Sequence, residues 1–109
     1  MFQISPALLQ IDARPLTVLE RILDAAEPRE GCALLLGHLA TSADGLPAAG
    51  RVVLVWPCLN QWQPADQRES RFAIDPREQL LAQKWGRSRG LELIGAVHSH
   101  PRSAPIPST

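Results

Sequence analysis

The chain has 109 residues, a length that fits one domain with one hydrophobic core. Lys plus Arg and Asp plus Glu number 11 each, so no net charge attracts nucleic acid or an anionic membrane surface. The hydrophobic content is 45%, and no segment approaches the roughly 18 uncharged apolar residues of a membrane span. We therefore expect one globular domain with neither nucleic-acid nor membrane partners.

The N-terminal segment and the cysteines indicate a cytoplasmic protein. Residues 1–15 lack the basic start, apolar run and small-residue cleavage site of a secretory signal. Cys32 and Cys58 each lie inside an apolar segment, which is typical of buried thiols in a reducing compartment. Cys58 has a soft ligand atom for zinc, but its place after Pro57 in an apolar strand favours core packing.

The first half of the chain predicts one helix and two strands. Apolar residues recur at helical spacing from Pro15 to Ala26, and Pro15 suits the first turn of a helix. The continuous apolar run Gly31–Leu39 is typical of a strand buried on both faces. Small residues predict a loop over Ala40–Gly50, and β-branched residues indicate a strand over Arg51–Leu59. We expect the two strands to pair as a hairpin.

The second half predicts a short strand, a helix and a central strand. Alternation indicates a strand at Ser70–Ile74. A helix start follows, because Asp75 can cap exposed amides and Glu78 can reach back as in a capping box. The length and apolar content of Leu91–His98 predict a central strand.

The predicted second helix covers Pro76–Arg87. The apolar residues expected to face the core are Leu80, Leu81 and Trp85. Gly86 and Gly90 both favour a left-handed helix stop. On these patterns alone, the chain is a mixed α and β protein.

His98 and His100 lie two residues apart at the end of the last predicted strand. Alternate side chains of an extended chain share a face, and Pro101 biases His100 toward that conformation. Two imidazoles on one side of the chain can bind one metal ion. For an arbitrary pair of histidines, however, a buried polar residue and a surface residue are the simpler interpretation. Spacing alone leaves both interpretations open.

Two motifs make the chain similar to a known family. The segment HSHPRSAPIPS, from His98 to Ser108, resembles the JAMM signature. In that signature His-x-His-Pro is followed by a Ser, with seven residues between the second His and the Ser. The segment EGCALLLG, from Glu30 to Gly37, resembles the family's Glu followed two residues later by Cys and by an apolar strand. FAIDPREQLLAQ and Gly90–Val97 resemble the family's second helix and the strand before its metal site. The chain therefore resembles a small prokaryotic-type JAMM/MPN+ (JAB domain) zinc metallopeptidase.

The resemblance implies a cytidine-deaminase-like MPN fold of the α/β class, with a curved, mostly antiparallel sheet flanked by helices. The family motif continues Ser-x-x-Asp, and this aspartate falls at position 111, whereas the sequence ends at Thr109. We therefore expect residues 1–109 to form a single JAMM/MPN domain that is incomplete at its C-terminus.

The resemblance also assigns roles to four residues. His98 and His100 correspond to zinc ligands, Glu30 to the general acid/base, and Ser108 to the serine that stabilises the oxyanion. Considered alone, Glu30 is more simply a solvated charge at a strand entrance, and Ser108 an ordinary loop serine. Their assignment depends on the family.

Family members cleave peptide or isopeptide bonds at the C-terminus of ubiquitin-like proteins, and small prokaryotic-type members act on sulfur-carrier proteins with a Gly-Gly tail. The resemblance thus implies a zinc-dependent peptidase or isopeptidase with such a partner. The missing aspartate favours an alternative, in which a metal-free, inactive scaffold docks a partner. A truncated fragment that self-associates, for instance as a homodimer, is a further alternative.

Overall fold

The computed structural model describes residues 2–4, 8–68 and 73–99, with only the backbone described at residues 2–4 and at Pro47. Within these ranges the chain forms five strands, two α-helices and one 3-10 helix. In chain order they are β1 (Phe2–Ile4), β2 (Leu8–Ile11), α1 (Ala13–Ala26), β3 (Cys32–Thr41), β4 (Pro47–Cys58), a 3-10 helix (Ala65–Gln67), α2 (Pro76–Arg87) and β5 (Glu92–His98).

The five strands form one sheet in the order β1-β5-β3-β4-β2. The long strand β3 lies at the centre and pairs antiparallel with β4 and with β5. β1 is antiparallel to β5, whereas the edge strand β2 runs parallel to β4. The expected α/β class with a mostly antiparallel sheet is confirmed, and so is the hairpin of β3 and β4.

The two helices cover opposite faces of the sheet at β3. Since alternate residues of a strand point to opposite faces, successive residues of β3 face α1 and α2 in turn. The face toward α1 carries the main core, whose buried members are Leu19, Ala33, Leu35, Val52, Val55, Ile94 and Val97. On the other face Gly86 of α2 lies close to Leu36, so that a Cβ at Gly86 would be 3.3 Å from Leu36 Cδ2. Coverage on both faces explains the continuous apolar run of β3.

The side of α2 that faces the sheet differs from the prediction. Leu80 and Leu81 are 64% and 55% exposed, whereas Ala82 and Gly86 are buried and Trp85 is half-buried. Small residues lie at the closest approach because leucine side chains of β3 already fill the space between helix and sheet. The prediction that Leu80 and Leu81 face the core was wrong.

The residues at the two ends of α2 were predicted only partly correctly. Asp75 is the N-cap, as expected, and its side chain accepts a hydrogen bond from the Arg77 amide at 2.9 Å. The capping-box role of Glu78 is wrong, because Glu78 Oε1 accepts a hydrogen bond from Trp56 Nε1. Gly86 is inside the helix and is no stop, whereas Gly90 has the expected positive φ of 72°.

Several strand boundaries also differ from the prediction. Most of the predicted loop Ala40–Gly50 is strand, because cross-strand partners hold its small residues extended on both sides of a short turn. β1 and β2 were not predicted, since each is too short for its periodicity to indicate a strand. Of the predicted strand Ser70–Ile74, Ala73 and Ile74 belong to no strand, and residues 70–72 lie outside the described residues.

Neither α1 nor α2 is long and apolar enough to span a membrane.

Candidate active site

Sheet register brings together two of the predicted site residues. His98, the last residue of β5, is the direct partner of Cys32, the first residue of β3. Glu30 precedes Cys32 by two residues, so in an extended chain its side chain shares the face of Cys32 and His98. The structure places Glu30 Oε1 3.1 Å from His98 Nδ1, although the residues are 68 positions apart in sequence.

Both members of the Glu30–His98 pair are buried. Glu30 is 1% exposed and His98 is 5% exposed. Burying a carboxylate costs free energy unless hydrogen bonds or a partner compensate for its lost hydration. The simpler interpretation of Glu30 as a solvated charge is therefore wrong. A carboxylate that faces Nδ1 also favours the imidazole tautomer with its hydrogen on that nitrogen.

A polar cleft of about 510 Å³ lies beside Glu30. It is bounded by the C-terminal end of α1, the start of β3 and the segment after β4. The polar residues Arg29, Asn60, Gln61 and Arg68 are among those that line it. The backbone of Glu30 is tied to this segment, because its amide donates to Arg68 O at 2.6 Å and its carbonyl accepts from Asn60 Nδ2 at 3.0 Å.

The two cysteines lie next to the pair but carry no reactive thiolate at neutral pH. They are direct partners across β3 and β4, and both are free thiols, as expected. Burial, and then the charge of Glu30, raise the pKa of Cys32 to about 11. Burial, and then the neighbouring Cys32, raise the pKa of Cys58 to about 12. Protonated thiols are poor nucleophiles and poor metal ligands, which supports packing as the role of Cys58.

The described residues contain part of the donor set expected for zinc. His98, one of the two predicted zinc ligands, supplies an imidazole, and Glu30 beside it supplies the carboxylate predicted as the general acid/base. No three His, Cys, Asp or Glu side chains in residues 2–4, 8–68 and 73–99 are grouped so that they could hold a metal ion. The other predicted ligand, His100, and the predicted oxyanion residue, Ser108, lie outside the described residues.

Sequence reasoning missed two residues around Glu30. Asn60 binds the Glu30 carbonyl, and Ser99 binds the amide of Gly31. A faint signal existed for each, since an amide residue directly follows an apolar strand and a hydroxyl residue separates the two histidines. Neither signal identifies its partner, because both contacts cross between segments that are distant in sequence.

Comparison with known proteins shows the family of the chain. The family described as prokaryotic homologs of the JAB domain (Prok-JAB) matches residues 14–109, so the chain belongs to this family. The structure is similar to the solution structure of protein DSY2949 from Desulfitobacterium hafniense, with a TM-score of 0.71 and 31% sequence identity. That similarity covers 92% of this chain and 62% of DSY2949, so the chain spans less than two thirds of that protein. No curated protein matches the chain.

Membership in the JAB family confirms the resemblance found in the two motifs. The family includes hydrolases, and its matched region contains both Glu30 and His98.

Proposed function

We propose that this protein is a zinc-dependent peptidase or isopeptidase that cleaves at the C-terminus of ubiquitin-like or sulfur-carrier proteins. The observation that carries the proposal is the buried contact of Glu30 Oε1 with His98 Nδ1 at 3.1 Å. This contact joins the family's acid/base position to one of its metal-ligand positions. Burying such a pair costs free energy of folding, and a domain of this size has little to spare. The presence of the pair therefore supports a functional role.

His98 and His100 are the residues that would bind zinc, since both are imidazoles within the His-x-His-Pro motif. Zinc would supply a Lewis acid and make water available as a nucleophile at neutral pH. The carboxylate of Glu30 would help to orient the His98 ring, as carboxylates do for many metal-binding histidines.

Glu30 would also move the proton of the reaction. As water attacks the carbonyl carbon of the scissile bond, the carboxylate accepts a proton from that water. It then delivers the proton to the nitrogen of the departing amine, which restores the carboxylate. Ser108 would donate a hydrogen bond to the developing oxyanion, a contribution worth about 3 to 4 kcal/mol at comparable sites.

The substrate in this proposal is a C-terminal tail that ends in Gly-Gly. Glycine has no side chain, so such a tail can enter a narrow cleft and form backbone hydrogen bonds along a strand. The free thiols Cys32 and Cys58 support a reducing, cytoplasmic setting for the reaction.

A cleavage assay tests the proposal. The protein is loaded with zinc and incubated with a Gly-Gly-tailed ubiquitin-like or sulfur-carrier protein that carries a peptide after the second glycine. We expect release of this peptide, detected by mass spectrometry, and its loss with a chelator. Glu30→Gln should lower the rate by at least about a hundredfold, in line with general acid/base catalysis.

His38 provides a matched control for the metal ligand. It lies on β3 like the buried Cys32 but is exposed and away from Glu30. His98→Ala should therefore abolish zinc-dependent cleavage, whereas His38→Ala should leave it unchanged. Binding of the tailed protein without any cleavage would contradict the peptidase and support the scaffold role that the family also includes.

A further inference from the structure

The backbone of the Glu30–Gly31 dipeptide is held by hydrogen bonds with three residues from two other segments, one after β4 and one after β5. Glu30 N donates to Arg68 O at 2.6 Å, and Glu30 O accepts from Asn60 Nδ2 at 3.0 Å. Gly31 N donates to Ser99 Oγ at 2.9 Å, and Gly31 O accepts from Ser99 N at 3.0 Å. Each backbone polar group of the dipeptide thus has a partner outside its own strand.

Asn60 connects Glu30 to the segment that follows β4. Its Nδ2 donates to Glu30 O at 3.0 Å and to Arg68 O at 3.3 Å. Its Oδ1 accepts from Trp62 N at 3.1 Å and from Ala73 N at 3.3 Å. The nitrogen therefore binds the carbonyls of Glu30 and Arg68, whereas the oxygen accepts hydrogen bonds from two amides of the surrounding loop. These two functions lie on different atoms and can be separated by substitution.

Ser99 connects the other side of the dipeptide to the histidine strand. It directly follows His98, and both its hydroxyl and its amide bind Gly31. Helix α1 closes the remaining side, because a Cβ at Gly31 would lie 3.0 Å from Ala26 Cβ and 3.1 Å from Leu23 Cα. Gly31 is therefore enclosed between α1 and Ser99.

We infer that Asn60 and Ser99 are positioning residues that hold the Glu30 carboxylate against His98, a role whose catalytic meaning rests on the proposed function. A glutamate side chain has several rotatable bonds, so its carboxylate is placed well only when its backbone is fixed. An error of about 1 Å in the placement of a reacting group can cost a hundredfold in rate. Asn60 acts through the Glu30 carbonyl, and Ser99 acts through Gly31.

Four substitutions separate positioning from general stability. Asn60→Asp removes the Nδ2 donor to Glu30 O and Arg68 O but keeps an oxygen for the amides of the loop. Ser99→Ala removes the acceptor for Gly31 N, whereas Ser99→Thr keeps a hydroxyl there. Gln67→Ala is the control, because Gln67 Oε1 accepts a hydrogen bond from the Trp62 indole in the same loop.

The readouts require no catalytic activity. The first is the ¹⁵N chemical shift of the His98 ring nitrogens in the metal-free protein at one fixed pH. The second is the hydrogen-exchange rate of the Gly31 amide. We expect Asn60→Asp and Ser99→Ala to move the ring shifts, and Ser99→Ala to speed Gly31 exchange about tenfold. Ser99→Thr should keep both the ring shifts and the Gly31 exchange rate close to those of the wild type, and Gln67→Ala should change neither.

The inference is overturned if Asn60→Asp and Ser99→Ala lower the stability toward urea but leave the His98 ring shifts as in the wild type. In that case both residues are merely structural. The Ser99 series decides the question by itself if Asn60→Asp does not fold.

The proposed function and the positioning role can fail separately. Absence of cleavage by the wild type would defeat the proposed function, yet the ring shifts would still test the positioning of Glu30. If the wild type does cleave, Asn60→Asp and Ser99→Ala should lower kcat at least tenfold with zinc affinity and KM unchanged. Equal losses with Gln67→Ala would count against the positioning role.

Discussion

The indole Nε1 of Trp56 on β4 donates a hydrogen bond to Glu78 Oε1 on α2 over 2.9 Å. The Trp56 ring also meets Trp85 of the same helix edge-on, with centroids 5.7 Å apart and planes at 64°. The guanidinium carbon Cζ of Arg89 lies 4.1 Å from the centroid of the Trp85 ring, which adds a cation–π contact to the pair of rings. These contacts anchor α2 to the sheet beside the two buried small residues of the helix, Ala82 and Gly86.

Glu78→Ala should destabilise the protein by about 1 to 3 kcal/mol, because it leaves the half-buried Trp56 N–H without its acceptor. Glu78→Gln should cost less, since its amide oxygen can still accept from the indole. Urea unfolding followed by tryptophan fluorescence measures both. Gln79→Ala, an exposed neighbour on α2, is the matched control and should change stability by no more than about 0.5 kcal/mol. Equal effects of Glu78→Ala and Gln79→Ala would contradict an anchoring role for the indole contact.

Glu30→Ala should cost about 3 to 5 kcal/mol of stability, because it removes one member of a buried, hydrogen-bonded pair. Glu30→Gln should cost less, as its amide keeps an acceptor of similar shape. Glu27→Ala removes an exposed carboxylate shortly before Glu30 and should be nearly neutral. Denaturant unfolding of the metal-free protein gives these values. A similar small loss for Glu30→Ala and Glu27→Ala would show that the pair contributes nothing to the fold.

Gly37→Ala should be among the most destabilising substitutions in the chain, at about 4 kcal/mol or more. A Cβ at Gly37 would overlap the Arg51 carbonyl oxygen and approach Ile94 Cδ1 to 3.0 Å, so β4 would have to move. Gly45 is the control, since its turn is open and only its φ of 83° opposes alanine. Thermal unfolding of the two variants should therefore show a much larger loss for Gly37→Ala. A comparable loss at both positions would mean that the sheet accommodates the methyl group.

Cys58 should make the protein less stable at alkaline pH. Its pKa rises from 9.0 to about 12 in the folded protein, chiefly through burial. Above pH 9 the unfolded chain loses the thiol proton while the folded protein keeps it, so the free energy of unfolding falls as pH rises toward 12. Cys58→Ala should reduce the loss of stability between pH 7.5 and 10.5, measured from urea midpoints. An identical loss in the variant would show that the thiol does not ionise differently on unfolding.

The sequence by itself determined the family and most of the regular structure. The motifs around Glu30 and His98 led to the JAB family, which the comparison with known proteins confirms. The helix over Pro76–Arg87 matched its prediction residue for residue, because a cap, a proline and a run of good helix formers act locally. The central strand before the histidines was correct within one residue for the same reason.

Only the tertiary structure decided how these parts meet. Apolar periodicity identifies a helix, but the volume of the opposing side chains decides which side packs, and so Ala82 replaced Leu81 at the sheet. The short strands β1 and β2 exist because neighbours in the sheet supply their hydrogen bonds. The burial of Glu30 and its contact with His98, 68 positions away, depend on the register of β3 and β5. Such long-range pairing leaves no trace in local composition, because the free energy that selects it comes from the whole sheet.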